Sequence, residues 1–234
     1  MTIFVKAYFI TGTDTGVGKT SIMAGLAGSM RKLGIDAGVM KPIATGHPSK
    51  TGFKSSDVAK LVEATSIKDP ENLINPVFLP LPTSPYDATK LLELSVDMPL
   101  IFDQFKKLLS MHEILLVEGI GGIMTPITKN FFIADMIKGM GIETIIVTRA
   151  TIGTLNHTVM TCKMCKDYGI KIRGLVINNF DEKGTPAEKN SPSTLYELTN
   201  IPILGTVPFI KDLNNIKTLI EHVEKYINVK SLIS

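Results

Sequence analysis

No apolar run in this 234-residue sequence reaches the length of a membrane span, so a membrane-spanning helix is not expected. The first residues also lack the layout of a secretory signal. Neither sign of charge dominates: 25 Lys and Arg stand against 22 Asp and Glu, the formal net charge is +3 and no dense basic tract occurs. The pairs Arg31-Lys32 and Lys106-Lys107 read as solvated helix faces, so composition gives no support for a nucleic-acid partner. Only two cysteines occur, Cys162 and Cys165. Their C-x-x-C spacing invites a redox or zinc reading, but no second ligand pair accompanies it. The surrounding segment, Leu155 to Tyr168, reads as one amphipathic helix, so two buried or half-buried thiols are expected there. A reducing, cytoplasmic compartment follows as the expectation. His47 and His157 each lack a second histidine at ligand spacing. No internal repeat is found.

What is present points to phosphate chemistry. The stretch Gly12-Thr13-Asp14-Thr15-Gly16-Val17-Gly18-Lys19-Thr20 follows the apolar run Ala7-Tyr8-Phe9-Ile10-Thr11 and opens a helix-like segment. Strand, glycine-bearing loop, Gly-Lys-Thr and helix form the sequence signature of a phosphate-binding loop. Such a loop wraps backbone N–H groups around phosphate oxygens, and the helix N-terminus adds partial positive charge. Lys19 is placed to reach the β- and γ-phosphates of ATP or GTP, and Thr20 to put its hydroxyl on Mg²⁺. The loop is a variant: five residues separate Gly12 from Gly18, and Thr13 stands where the usual first glycine falls. The bland alternative is a simple turn before a helix.

The length suits one large α/β domain, expected to occupy residues 1–234. Six segments read as strands: Ala7–Thr11, Ala37–Lys41, Ile114–Glu118, Thr144–Thr148, Arg173–Asn178 and Ile203–Val207. Their nearly continuous apolar character suits burial on both faces. Helices are expected at Lys19–Leu33, Leu100–Leu109, Phe131–Met140, Leu155–Tyr168 and Asn214–Tyr226. The alternation predicts an α/β, P-loop NTPase-like fold, with a central, mostly parallel sheet and helices on both faces. Residues 70–99 hold six of the thirteen prolines and read as an excursion from that sheet rather than a linker. Residues 181–192 read as a mobile surface loop. Asp57, taken alone, reads as a helix N-cap.

In an open parallel sheet ligands bind beyond the carboxyl ends of the strands. Polar residues gather there: Lys19 and Thr20 after the first strand, Lys41 at the end of the second and Glu118 at the end of the third. Gly153-Thr154-Leu155-Asn156 follows the fourth, Asn178 and Asn179 end the fifth, and Pro208 ends the sixth. Lys41 alone would read as an exposed strand end. Glu118, after the apolar Leu115-Leu116-Val117, reads as a Mg²⁺-linked acid.

Together these motifs resemble the dethiobiotin synthetase family. The resemblance rests on the Gly12–Thr20 loop, Lys41-Pro42-x-x-Thr45-Gly46, Ser56-Asp57 and Pro82-Thr83-Ser84-Pro85. It also rests on Val117-Glu118-Gly119-x-Gly121-Gly122 and Gly153-x-x-Asn156-His157. The five-residue loop spacing is typical of that family, while Thr45 stands where many members carry serine. The resemblance implies ATP- and Mg²⁺-dependent closure of a cyclic urea on 7,8-diaminononanoate with CO₂ or bicarbonate. Thr20, Asp57 and Glu118 would hold Mg²⁺, and Lys19 and Lys41 would be catalytic. The nucleotide would contact Gly16, Val17, Gly18, Lys19, Thr20 and Ser21, together with Asp57, Glu118, Gly119 and Gly121. Asn178, Asn179, Pro208, Phe209 and Ile210 would meet its base. Thr15, Lys41 and Thr45 would face the diamine. Gly153, Thr154, Leu155 and Asn156 would bind its carboxylate, across a homodimer interface.

Two lysines beside a diamine disfavour its cationic form and then stabilise the anionic carbamate. Phosphoryl transfer to that carbamate needs charge compensation, which Lys19 and Mg²⁺ would give. A partitioning-type switch ATPase of the same fold is the competing reading. Such proteins carry a signature lysine four places before the second loop glycine, and here that residue is Asp14. A corrinoid amidotransferase would need a further glutaminase domain for which this sequence has no room.

Overall fold

The computed structural model describes residues 6–49, 52–210, 212 and 215–233. The chain begins with β1 (Lys6–Gly12), α1 (Lys19–Lys32), β2 (Ala37–Met40), β3 (Ile43–Thr45) and α2 (Ser56–Thr65). Next come α3 (Glu71–Ile74), β4 (Val77–Leu79), α4 (Pro85–Leu92), α5 (Met98–Met111) and β5 (Ile114–Glu118). A small antiparallel pair follows, β6 (Pro126–Thr128) and β7 (Phe131–Phe132), then α6 (Ile133–Met140), β8 (Glu143–Arg149) and α7 (Thr154–Asp167). The last elements are β9 (Ile172–Phe180), α8 (Pro186–Thr199), β10 (Ile203–Pro208), α9 (Ile216–Tyr226) and α10 (Lys230–Ile233).

Six strands form one sheet in the order β10-β9-β8-β1-β5-β2, and every pairing is parallel. Both faces are covered, as the continuous apolar strands require. Successive residues of a strand point to opposite faces, and the core divides accordingly. Tyr8, Ile10, Ile114, Leu116, Ile145, Val147 and Val176 pack under α1, α2 and α9. Phe9, Leu115, Val117, Ile146, Leu175 and Ile177 pack under α5, α6, α7 and α8. Gly25 lets α1 meet α9 closely: a Cβ there would lie 2.3 Å from Val223 Cγ2.

The amino rim of the sheet is fastened by polar groups. Lys6 Nζ donates to the Ile233 carbonyl and Tyr8 Oη to the Leu232 carbonyl, at 2.6 and 3.0 Å. His112, just before β5, lies between Asp36 and Asp69, with ring nitrogens 3.1 and 2.9 Å from their carboxylates.

Four expectations need correction or completion. Residues 181–192 do not form a loop throughout, because α8 starts at Pro186. Thr185 caps it, Glu188 closes a reciprocal capping box, and proline occupies the first helical position. Pro192 cannot donate to the Glu188 carbonyl, and the Ser191 hydroxyl does so instead at 2.8 Å. Asp57 is not the cap of α2: Ser55 holds that place, accepting from Val58 N. Phe131 and Phe132 pair as β7 before α6 begins. Asn214, the expected start of α9, lies outside the described residues, and Asn215 caps that helix.

The proline-bearing stretch 70–99 holds α3, β4 and α4, with β4 pairing in parallel with β3. Among the described residues no helix is long and apolar enough to cross a membrane. Cys162 and Cys165 are buried, and burial pushes their thiols up to about 11 and about 12.

Candidate active site

The carboxyl end of β1 feeds directly into the glycine loop. Thr13 N donates to the Val147 carbonyl at 3.1 Å, and Thr13 Oγ1 donates to Thr148 Oγ1 at 3.2 Å, so the loop is anchored on β8. Gly18 caps α1 at φ 100°, a left-handed conformation that a side chain would strain. A Cβ at Gly18 would also fall 2.1 Å from Asn178 Nδ2. That amide donates to the Val17 carbonyl at 2.9 Å and ties β9 to the loop. The first turn of α1 has no acidic residue of its own, so nothing within the helix offsets its positive end. Lys19 Nζ folds back to the Asp14 carbonyl at 2.9 Å. Burial lowers the Lys19 pKa to about 8, against the pull of Glu118.

Lys41 follows β2 and is 4% exposed. Its ammonium lies 2.6 Å from Glu118 Oε1 and 3.0 Å from Asp57 Oδ2. Burial alone would lower its pKa, but the two carboxylates outweigh burial and hold it above the usual lysine value. Burial likewise works to raise the Asp57 pKa, and Lys41, with the Thr20 hydroxyl, brings it below the usual carboxylate range. Asn75, next to α3, fixes the backbone: its side-chain amide donates to the Lys41 carbonyl at 2.7 Å. Lys41 N in turn donates to the Ile74 carbonyl at 2.8 Å.

Glu118 ends β5 and is 1% exposed. Thr20 Oγ1 donates to its Oε1 at 2.7 Å, while its Oε2 is buried with no hydrogen-bond partner. One hydroxyl and two carboxylates form a hard oxygen set of the kind Mg²⁺ takes, with phosphates and water completing the shell. The orphaned Oε2 is an acceptor left over for such a cation. Among the described residues no group of three or more His, Cys, Asp or Glu is arranged to hold a metal, and the set at this site has two carboxylates beside the Thr20 hydroxyl.

These groups line one cavity of about 340 Å³. Its walls bring together Thr15, Gly16, Gly18, Lys19, Thr20, Ser21, Lys41, Thr45, Asp57, Glu118, Gly119 and Gly121. An adjoining cavity of about 110 Å³ shares Gly16, Gly18 and Ser21 and adds Asn178, Asn179, Pro208, Phe209 and Ile210. Val17 lies on neither wall; its side chain is in the core. Gly153, Thr154, Leu155 and Asn156 line a separate cavity of about 510 Å³ with the first turns of α8. The turn there is held by hydroxyls, with Thr148 Oγ1 2.9 Å from Thr154 Oγ1 and Thr158 Oγ1 donating to Thr148 at 3.0 Å.

Sequence reasoning missed Lys60, which lines the lysine cavity, and Asn75 behind Lys41. Helical spacing from Asp57 could have flagged Lys60. Nothing local marks Asn75.

A family model described as an AAA domain matches residues 6–217. The chain is 51% identical over 229 residues to the ATP-dependent dethiobiotin synthetase BioD of Nitrosopumilus maritimus, covering 98% of this chain and 100% of that one. It is 41% identical over 237 residues to the BioD of Thermodesulfovibrio yellowstonii, covering 97% and 98%. Among solved structures it resembles a ParA family ATPase from Chlorobium tepidum, with a TM-score of 0.59 at 15% identity, covering 98% of both chains. It also resembles the MinC:MinD cell division complex of Aquifex aeolicus, with a TM-score of 0.62 at 12% identity, covering 97% and 96%. At such identities the likeness carries the P-loop NTPase-like α/β fold alone, and the partitioning-type alternative is not favoured. The two synthetase relatives match end to end at far higher identity, and the chain belongs to the ATP-dependent dethiobiotin synthetase family.

Proposed function

We propose that the chain closes the cyclic urea of dethiobiotin on 7,8-diaminononanoate, using CO₂ or bicarbonate, ATP and Mg²⁺. As a family member it is an ATP-dependent ligase of biotin biosynthesis. The observation that carries the finer reading is the convergence of Lys19 and Lys41 on one cavity with Thr20, Asp57 and Glu118.

The substrate amine attacks CO₂ and loses a proton, giving a carbamate. Lys19 and Lys41 favour this by disfavouring the amine's cationic form and then balancing the carbamate charge. The carbamate oxygen attacks the γ-phosphorus and ADP leaves, forming a carbamic-phosphoric anhydride. Lys19 and the backbone N–H groups of the loop offset the charge that builds on the transferring phosphoryl group. The second amine attacks the carbonyl carbon, phosphate leaves, a proton is lost, and the ring closes. Holding both amines beside the activated carbon makes closure a matter of orientation.

Thr20, Asp57 and Glu118 would hold Mg²⁺, which supplies charge neutralisation at the phosphates. The smaller cavity beside Asn178 and Phe209 suits the base, with Gly16, Gly18 and Ser21 shared between base and phosphate sides. The chain works as one domain in this reading, since both core clusters share one sheet.

Gly153 to Asn156 do not share the lysine cavity within one chain, which supports their use across a homodimer. Ile152, 86% exposed beside that turn, together with exposed Met160 on α7, gives an apolar face for the second copy. A cytoplasmic setting accompanies this reading. Purified protein given diamine, bicarbonate, ATP and Mg²⁺ should yield a product of dethiobiotin mass. ATP turnover indifferent to the diamine would overturn the assignment.

A further inference from the structure

Three lysines line the proposed reaction cavity, and two of them are occupied. Lys19 donates to the Asp14 carbonyl, and Lys41 is held by Glu118 and Asp57. Lys60 is the third. It is half-buried on α2, three residues after Asp57, so both residues project from one side of the helix. Among the described residues its ammonium makes no hydrogen bond or ion pair with any group, although its charge helps hold the Asp57 carboxyl down. A half-buried lysine that lines a polar cavity without a partner is set up to meet an anion. The formal charges agree: three lysines and two carboxylate residues line that cavity.

We propose that Lys60 binds the terminal phosphoryl oxygens of the nucleoside triphosphate and, after transfer, the inorganic phosphate. The inference rests on the ATP-dependent reaction proposed above. A cationic amine of the diamine is repelled by an ammonium, and the substrate carboxylate is assigned above to Gly153–Asn156. The carbamate is an anion too, and comparing a triphosphate with a diphosphate in the absence of diamine separates the two. Asp57 places Lys60 on the side of the cavity where the cation ligands and the outer phosphates meet.

The test uses full-length protein with Lys60→Met, which keeps the apolar stem and removes the charge. Calorimetry at fixed Mg²⁺ would compare a non-hydrolysable ATP analogue with ADP. The analogue should bind about tenfold more weakly, as loss of one charge-assisted hydrogen bond implies, and ADP should change by less than about twofold. Inorganic phosphate should also bind the ADP complex more weakly, and Lys60→Arg should recover most of the analogue affinity. Equal loss for both nucleotides, or no loss, would overturn the proposal. So would an unchanged nucleotide affinity with a raised KM for the diamine. If the wild-type protein binds the analogue but forms no dethiobiotin, the reaction assignment fails, while the triphosphate–diphosphate split still decides the role of Lys60.

Discussion

Asn178 donates its side-chain amide to the Val17 carbonyl at 2.9 Å, joining two residues 161 positions apart. The contact exists because Gly18, next to Val17, has no Cβ to block the amide. Asn178→Ala should therefore loosen the loop and weaken nucleotide binding by about fivefold, the scale of one net hydrogen bond. Gly18→Ala should be worse, since it strains a residue at φ 100° and strikes the same amide. Calorimetric titration of both variants with ADP checks the order. Equal, wild-type affinities would show that the tie is idle.

Lys41→Met should separate binding from chemistry. A non-hydrolysable ATP analogue should still bind, while dethiobiotin formation falls by about a hundredfold or more, as for loss of a group that stabilises developing charge. The variant should also melt earlier. Glu118 keeps its Thr20 hydrogen bond but loses its counter-ion, and unpairing a buried charge costs about 3–5 kcal/mol. Circular dichroism would confirm folding at the assay temperature. Normal turnover would remove Lys41 from the reaction.

Nucleotide affinity should depend on the charge of Lys19. Burial sets its pKa at about 8 in the free protein, so the ammonium is present below that pH and is lost above it. Affinity for ATP should fall as pH rises from about 8 towards 10. The linkage to stability has the opposite sense. Between about 8 and the ordinary value of 10.5 the unfolded chain carries more of this proton, so the Lys19 contribution to stability improves as pH rises. A Lys19→Met variant titrated in parallel should lose the affinity slope; an unchanged slope would assign it elsewhere.

Light scattering should give a dimer mass, and Ile152→Asp should shift it towards the monomer with loss of activity. A fully active monomer would refute use of Gly153–Asn156 across subunits.

Gly25→Ala should destabilise the fold by about 1–3 kcal/mol, as overpacking does, because its Cβ meets Val223 at 2.3 Å. Adding Val223→Ala should recover part of that loss. Chemical denaturation of both single variants and the double variant would measure the coupling.

Legibility in the sequence followed the range of each interaction. Ile114–Glu118 reads as a buried strand because its own side chains demand it, and the six expected strands agree with the sheet within a residue or two for that reason. α8 was hidden because Pro186 and Pro192 signal a break, while the Thr185–Glu188 box that overrides them is a short cue. Asp57 reads as a cap by local pattern; its carboxylate is instead turned to Lys41, 16 positions away in sequence, an ion pair that only the fold creates. Asn75 braces Lys41 from a stretch whose prolines suggested irregular chain. Glycines and strand-end charges mark the phosphate side, whereas the groups that hold those charges in place carry no local mark.

The latch of α10 on Lys6 and Tyr8, and the His112 clamp between Asp36 and Asp69, all sit on the rim opposite the phosphate loop. Wear at that rim should surface as lost heat tolerance long before it alters catalysis. An engineer seeking a hardier version of this ligase can therefore rebuild one end of the molecule and leave its chemistry alone.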